Sequence, residues 1–368
     1  MLFSQTDYSW MTYALRLAER GLYTTSPNPR VGCVIVKDGR VVGSGWHERA
    51  GAPHAEINAL HTAGPLASGA TAYVTLEPCG HHGRTPPCTL ALIEAGVRRV
   101  IIAMLDPNPK VNGQGAGQLR AAGIDVQVGL LTAQAQALNI GFITRMQLNR
   151  PWVRMKFAAS LDGKTALRNG QSQWITCEAA RRDGHKWRAR SCAILTGIGS
   201  VKADDSQLNV RHVETTRQPV RVVVDTCLEL PLQAKILTGN GGRTWVFTAT
   251  TDQRKIQTLQ QAGASVMVVP ERAGKVDLHA VMTKLAELEI NELLVEAGAR
   301  LNGALMTNGL ADEVLLYFAP MLLGDKANGM LALGELTSLS ERVELKNPDW
   351  RQIGKDMRFM ATLIKKRV

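Results

Sequence analysis

Two short stretches of this chain set metal-ligand side chains beside a carboxylate: Pro53-His54-Ala55-Glu56, and Glu77-Pro78-Cys79 with Cys88 further on. One imidazole and two thiolates suit zinc, and three protein ligands leave a tetrahedral position open, which marks a catalytic rather than a structural site. Zinc lowers the pKa of a bound water toward ~7, and Glu56, on the same first helical turn as His54, can take that proton and return it. This is machinery for replacing an amino group by oxygen. Zinc nucleobase deaminases carry H-x-E followed by P-C-x-x-C. Here the first half is present, and the second cysteine is displaced to position 88. A closed zinc knuckle would need a fourth ligand, for which His81 and His82 are the neighbouring candidates.

These ligands need elements to carry them. Tyr8 to Arg20 reads as an amphipathic helix ending at Gly21, and Val31 to Val36 with Val41 to Gly45 as a hairpin turning at Asp38-Gly39. Ala55 to Ala63 and Thr89 to Ala95 are expected as helices, each just after a metal ligand, where the helix dipole favours a thiolate. Thr71 to Leu76, Val97 to Leu105 and Ile124 to Val128 read as strands, giving a layered α/β/α unit. Asn149-Arg150-Pro151 is the best boundary, because proline interrupts pairing before a new strand. Beyond it, strands are expected at Val153 to Ala158, Ala193 to Thr196, Val220 to Asp225, Thr244 to Thr248, Ser265 to Val269, Glu292 to Val295 and Val314 to Ala319. Continuous apolar runs such as Val222-Val223-Val224 suit strands covered on both faces, hence a mostly parallel, doubly wound sheet. Thr196-Gly197-Ile198-Gly199-Ser200 is an incomplete dinucleotide fingerprint. Val295-Glu296-Ala297-Gly298 before Ala299 to Met306 reads as strand, glycine turn and helix; such a turn either aims N–H groups at an anion or only joins two elements.

The 368 residues are enough for two domains, 1–149 and 150–368. With 45% hydrophobic and 20% charged residues, each half can bury its own core. No export signal and no membrane-length apolar run is seen, so a cytoplasmic protein is expected. In that reducing compartment the six cysteines read as ligands or core residues rather than disulfides. The net charge of +11 fits anionic ligands or a solvated surface equally well. Aromatic residues are only 5% of the chain, which argues against a stacking platform for single strands, so small anions are favoured over nucleic acid.

With these residues in hand, the chain resembles the bifunctional deaminase/reductase family of riboflavin biosynthesis. The stretches that carry the likeness are Ser26-Pro27-Asn28-Pro29-Arg30-Val31-Gly32, Pro53 to Glu56, Leu76 to Cys88 with its long cysteine spacing, and Asp106-Pro107-Asn108-Pro109. In the second half they are Lys156 to Lys164, Ser172 to Thr176, Val201 to Asp205 with Leu208 and Arg211, and Val295 to Gly298. The resemblance implies α/β architecture: a cytidine-deaminase-like α/β/α layered domain, then a dihydrofolate-reductase-like doubly wound sheet domain. It implies zinc on His54, Cys79 and Cys88, proton transfer by Glu56, pyrimidine contacts from Asn28 and His47, and ribose-phosphate contacts from His81, Arg84, Asp106 and Asn108. Gly80 stands where the family pattern has serine.

For the second domain the resemblance implies an NADPH site at Ala158, Trp174, Ser200, Asp204, Thr226 and the turn Gly298, Ala299, Arg300, Leu301, Asn302, Gly303 and Ala304. Lys156, Ser172, Arg188, Leu208, Arg211 and Glu296 are implied at the substrate. The implied reactions are zinc-dependent deamination of a diaminopyrimidinone ribosyl phosphate and NADPH-dependent reduction of its ribosyl side chain to a ribityl chain. A homodimer acting on a small molecule, without nucleic acid or membrane, goes with them. Two other readings make different predictions: a nucleic-acid deaminase requires the short cysteine spacing and a stacking surface, and a zinc-stabilised binding module requires a closed four-ligand site.

Overall fold

A computed structural model describes residues 3–80, 87–109 and 111–365, and the chain divides into two compact units, Met1–Asn149 and Arg150–Val368. The first unit opens with α1 (Gln5–Glu19) and the strands β1 (Gly32–Lys37) and β2 (Arg40–Trp46). After α2 (Ala55–Ala63) and β3 (Thr71–Val74) come α3 (Cys88–Glu94), β4 (Arg99–Ile102), α4 (Gln114–Ala121) and β5 (Asp125–Val128). Helices α5 (Thr132–Leu138) and α6 (Ile140–Leu148) close the unit. Its sheet runs β2-β1-β3-β4-β5: β1 is antiparallel to both neighbours, and β3, β4 and β5 are parallel. Helix α1 begins earlier than its apolar spacing suggests, because Ser4 and Asp7 form a capping box that satisfies the first turn.

Helix α2 lies close on β2 because the strand offers glycine there. A Cβ at Gly43 would fall 2.2 Å from the Ala59 carbonyl oxygen, and one at Gly45 would fall 2.6 Å from that of Ala55. The approach sets His54 and Glu56 against the sheet. Cys33, Val34 and Ile35 of β1, with Ala72, Val74, Ile101 and Ile102, form the core beneath.

The second unit begins with β6 (Trp152–Ser160), β7 (Lys164–Ala166), α7 (Glu178–Arg190), β8 (Ala193–Gly197), α8 (Ile198–Asp204) and β9 (Val220–Val224). It continues through α9 (Lys235–Thr238), β10 (Thr244–Thr248), α10 (Gln253–Gln261), β11 (Ala264–Val268) and the short pair β12 (Glu271–Arg272) and β13 (Lys275–Val276). Helix α11 (Leu278–Glu287), β14 (Glu292–Val295), α12 (Ala299–Thr307) and β15 (Glu313–Ala319) follow. The chain then forms β16 (Asn328–Gly329), β17 (Leu345–Ile353) and β18 (Asp356–Leu363).

Nine strands make one sheet in the order β11-β10-β9-β8-β14-β6-β15-β18-β17. It is parallel from β11 to β15, and β18 and β17 add an antiparallel edge. Alternate residues feed cores on both faces: Val153, Met155, Leu293 and Val295 on one, Ile194, Val223, Val246 and Leu294 on the other. Within the second face Arg154 is buried, its guanidinium 2.7 Å from Glu313, 3.2 Å from Glu292 and stacked over the Trp187 ring. Among the described residues no helix is long and apolar enough to cross a membrane.

Candidate active sites

In the first unit the metal-ligand residues converge at helix starts. His54 is the N-cap of α2, Cys88 is the first residue of α3, and Cys79 sits in the segment after β3. The ligand atoms of the three all lie within 4.8 Å of one another. His54 Nδ1 is 3.2 Å from Cys88 Sγ and 3.6 Å from Cys79 Sγ, and the Cys88 backbone N–H donates to Cys79 Sγ at 3.3 Å. The thiol hydrogen bond from Cys88, with help from His54 and that N–H, lowers the Cys79 thiol to about 4, while the same bond and burial push Cys88 well above the ordinary range. An imidazole and two sulfurs converging at this range are the soft and borderline donors that fit zinc.

Glu56 is buried in the first turn of α2. Burial pushes its carboxyl up to about 7, against the pull of His54, so it can exchange a proton near neutral pH. His47 is buried as well, with Nδ1 3.1 Å from the Pro53 carbonyl, Nε2 3.0 Å from Asn28 Nδ2 and its ring edge-on to His54. Asn28, His47 and His54 are therefore one contiguous set. Asp106 and Asn108 share a turn, the Asn108 N–H donating to Asp106 Oδ1 at 2.8 Å. His81, His82 and Arg84 lie outside the described residues.

In the sequence Glu77 stands out only as the neighbour of Pro78-Cys79, with no role attached, and Gln118 gives no signal. The buried Glu77 carboxylate accepts the N–H of Asp106, Gly113 and Ala116, each at 3.0 Å. Gln118 accepts from the Thr89 hydroxyl at 2.8 Å and donates to the Gly80 carbonyl at 2.9 Å, bridging the segments of the two cysteines. A Cβ at Gly80 would come 2.7 Å from Gln118 Oε1, so glycine leaves room for that bridge.

In the second unit Glu296 follows β14 and takes a two-point bond from Arg188 of α7, at 2.6 and 2.9 Å. Lys156 Nζ of β6 stands 3.6 Å from the same carboxylate. Burial works to raise the Glu296 carboxyl, but Arg188 and Lys156 more than offset it and hold it well below the usual range. Arg211 joins through Asn209, whose carbonyl accepts from Arg188 at 3.0 Å and whose side chain accepts from Arg211 at 2.7 Å. Leu208, beside it, holds a left-handed backbone at φ 47°. Ala158 lies on β6 two residues beyond Lys156.

Helices α8 and α12 start from Gly197 and Gly298 with no side-chain cap, at the carboxyl ends of the adjacent parallel strands β8 and β14. The two starts are close: a Cβ at Gly298 would lie 3.6 Å from Ser200 Oγ, and one at Gly197 3.2 Å from Leu301. Among the described residues the buried Asn302 Oδ1 has no hydrogen-bond partner. Uncapped N–H groups at strand carboxyl ends suit a dinucleotide phosphate. Thr226 follows β9, its carbonyl accepting the Thr248 hydroxyl. Ser172, the exposed Trp174 stacked by Arg181, and Asp204 at the end of α8 make no hydrogen bond or ion pair to the Glu296 cluster among the described residues.

The fold and site define a class: a zinc-type deaminase unit followed by a mostly parallel α/β reductase unit. The profile described as the cytidine and deoxycytidylate deaminase zinc-binding region matches residues 4–104, and that of the RibD C-terminal domain matches 151–359. The chain is 47% identical to the riboflavin biosynthesis protein RibD of Escherichia coli K12, over 95% of this chain and 98% of that one. To the Haemophilus influenzae RibD it is 45% identical, over 98% of each. The solved Acinetobacter baumannii RibD superposes with a TM-score of 0.91 at 43% identity, covering 98% of this chain and 99% of that one. A Thermotoga maritima deaminase/reductase superposes at 0.85 with 32% identity and the same coverage. The chain belongs to the RibD family of riboflavin biosynthesis. It is a bifunctional enzyme, a zinc-dependent hydrolase and an NADPH-dependent oxidoreductase acting on a small molecule.

Proposed function

We propose that residues 1–149 deaminate a diaminopyrimidinone ribosyl phosphate and that residues 150–368 then reduce its ribosyl side chain. The Thermotoga maritima relative is titled a diaminohydroxyphosphoribosylaminopyrimidine deaminase and uracil reductase, which supports this substrate. The observation that carries the reading is the convergence of His54, Cys79 and Cys88 beside the buried Glu56.

Zinc held by those three side chains supplies a Lewis acid that brings water within reach of ionisation near pH 7, and NADPH supplies the hydride in the second unit. Glu56 takes the proton from the attacking water and delivers it to the departing amine, so water enters and ammonia leaves. Asn28, with His47 behind it, holds the pyrimidine; Asp106, Asn108, His81 and Arg84 hold the ribose phosphate. Arg84, next to Gly83 in the sequence, has the guanidinium that a bidentate phosphate grip needs.

In the second unit Arg188, Arg211, Leu208 and Ser172 bind the substrate and Glu296 orients Lys156 toward the sugar. Ala158, Trp174, Ser200, Asp204, Thr226 and the run from Gly298 to Ala304 line the NADPH site. A cytoplasmic homodimer completes the reading. The test follows ammonia release and NADPH oxidation separately in wild type and Glu56→Gln. Ammonia release should fall by about 10²–10⁴-fold, while reduction of already deaminated substrate persists. Loss of both activities in a folded variant contradicts separate sites, and ammonia from cytidine or tRNA in place of this substrate contradicts the assignment.

A further inference from the structure

Helix α4 starts at Gly113, whose backbone is left-handed at φ 81° and which has no side chain to accept the orphan N–H groups of the first turn. The acceptor comes instead from a residue distant in sequence. Glu77 Oε1 takes the Ala116 N–H, where an N-cap side chain would act, and Oε2 takes Gly113 and Asp106. Glu77 stands two residues before Cys79, and its own N–H is tied to the Met104 carbonyl at 3.0 Å.

The contact continues along α4. Gly115 faces the Pro78 carbonyl so closely that a Cβ there would lie 2.0 Å from the oxygen, and one turn on Gln118 holds Gly80 and Thr89. Thr89 in turn donates its N–H to the Cys79 carbonyl at 3.2 Å. Every residue from Glu77 to Gly80 is thus flanked by a fixed partner. Through the same carboxylate this segment is joined to the turn bearing Asp106 and Asn108.

We propose that Glu77 is a positioning residue of the deaminase, one carboxylate that fixes the Cys79 segment and the Asp106 turn relative to each other across the start of α4. The inference rests on the reading of His54, Cys79 and Cys88 as zinc ligands and of Asp106 as a substrate contact. In Glu77→Gln one oxygen becomes an amide donor that cannot accept a backbone N–H, so one arm of the clamp opens with little change in volume.

The test uses the full-length zinc-loaded enzyme and compares wild type, Glu77→Gln and Gly115→Ala. Three readouts are taken: zinc transfer to a coloured chelator, KM and kcat of ammonia release, and reductase activity on deaminated substrate. In both variants zinc should remain stoichiometric but leave about tenfold faster, and KM should rise about tenfold with a smaller fall in kcat. Retained reductase activity and an unchanged circular dichroism spectrum in Glu77→Gln exclude a general folding defect. Wild-type zinc transfer and KM in Glu77→Gln overturn the proposal, as does loss of kcat alone. If Cys79→Ser and Cys88→Ser retain stoichiometric, slowly released zinc, the ligand assignment itself has failed, which is a different result.

Discussion

The two units assemble their charged centres in opposite ways. In the first, an imidazole and two sulfurs, all ligand atoms within 4.8 Å of one another, converge as donors for a cation that the protein does not itself supply. In the second, Glu296 is already neutralised by Arg188 and Lys156, and its geometry is set by side chains alone. One centre borrows part of its stability from an ion; the other carries its counter-charges with it. The sharpest way to break that contrast is to strip the metal.

Chelation should abolish ammonia release and lower the melting temperature of the first unit, since an ion at 100 times its Kd contributes about 2.7 kcal/mol, equivalent to about 5–10 °C for a domain of this size. NADPH oxidation on deaminated substrate should continue. Calorimetry with and without chelator measures the shift, and a first transition indifferent to the metal would remove the contrast.

A stability effect of similar size, with no cofactor lost, is expected from Arg188→Ala. Deleting one partner of a buried pair strands the other, and with Lys156 still 3.6 Å away the loss should be about 3 kcal/mol in the second unit. Denaturant titration followed by circular dichroism gives the value, and the zinc content should not move. A midpoint equal to wild type would mean that Lys156 suffices by itself.

The smallest expected effect is one of pH. Burial, then the charges of Arg188 and Arg211, lower the His185 imidazole from 6.5 to about 3. Between those values the unfolded chain binds a proton that the folded chain refuses. The stability this gives is fully present above 6.5 and drains away as pH falls toward 3. Denaturant midpoints of the second unit should decline from pH 7 to pH 5 more steeply in wild type than in His185→Gln. Parallel slopes would show that His185 does not titrate across folding.

Much of the scaffold could be read in advance where burial imposes a simple period. Helix α2 has the bounds its sequence suggested, as do β10 and β14, and the apolar run at Val222 lies within β9. The edge pair β17 and β18 gave no such signal: β17 contains Pro348 and is exposed along most of its length, so no alternation marks it. At the sites, His54, Cys79 and Cys88 announce themselves because ligand chemistry demands those residue types. The roles of Glu77 and Gln118 do not, because they bond backbone groups of distant segments, and any residue can present an N–H or a carbonyl.

Arg154, held between Glu292 and Glu313, gives the sheet a means of checking its own alignment. It lies opposite Glu313 in the ladder between β6 and β15, and it reaches sideways to β14. A slip by one residue would turn Arg154 to the other face and take its guanidinium away from both Glu313 and Glu292 in a dry interior, although Glu292 would keep Arg190 at 2.8 Å. The strand that presents Lys156 is therefore locked in register two residues before it, on the same face of the sheet.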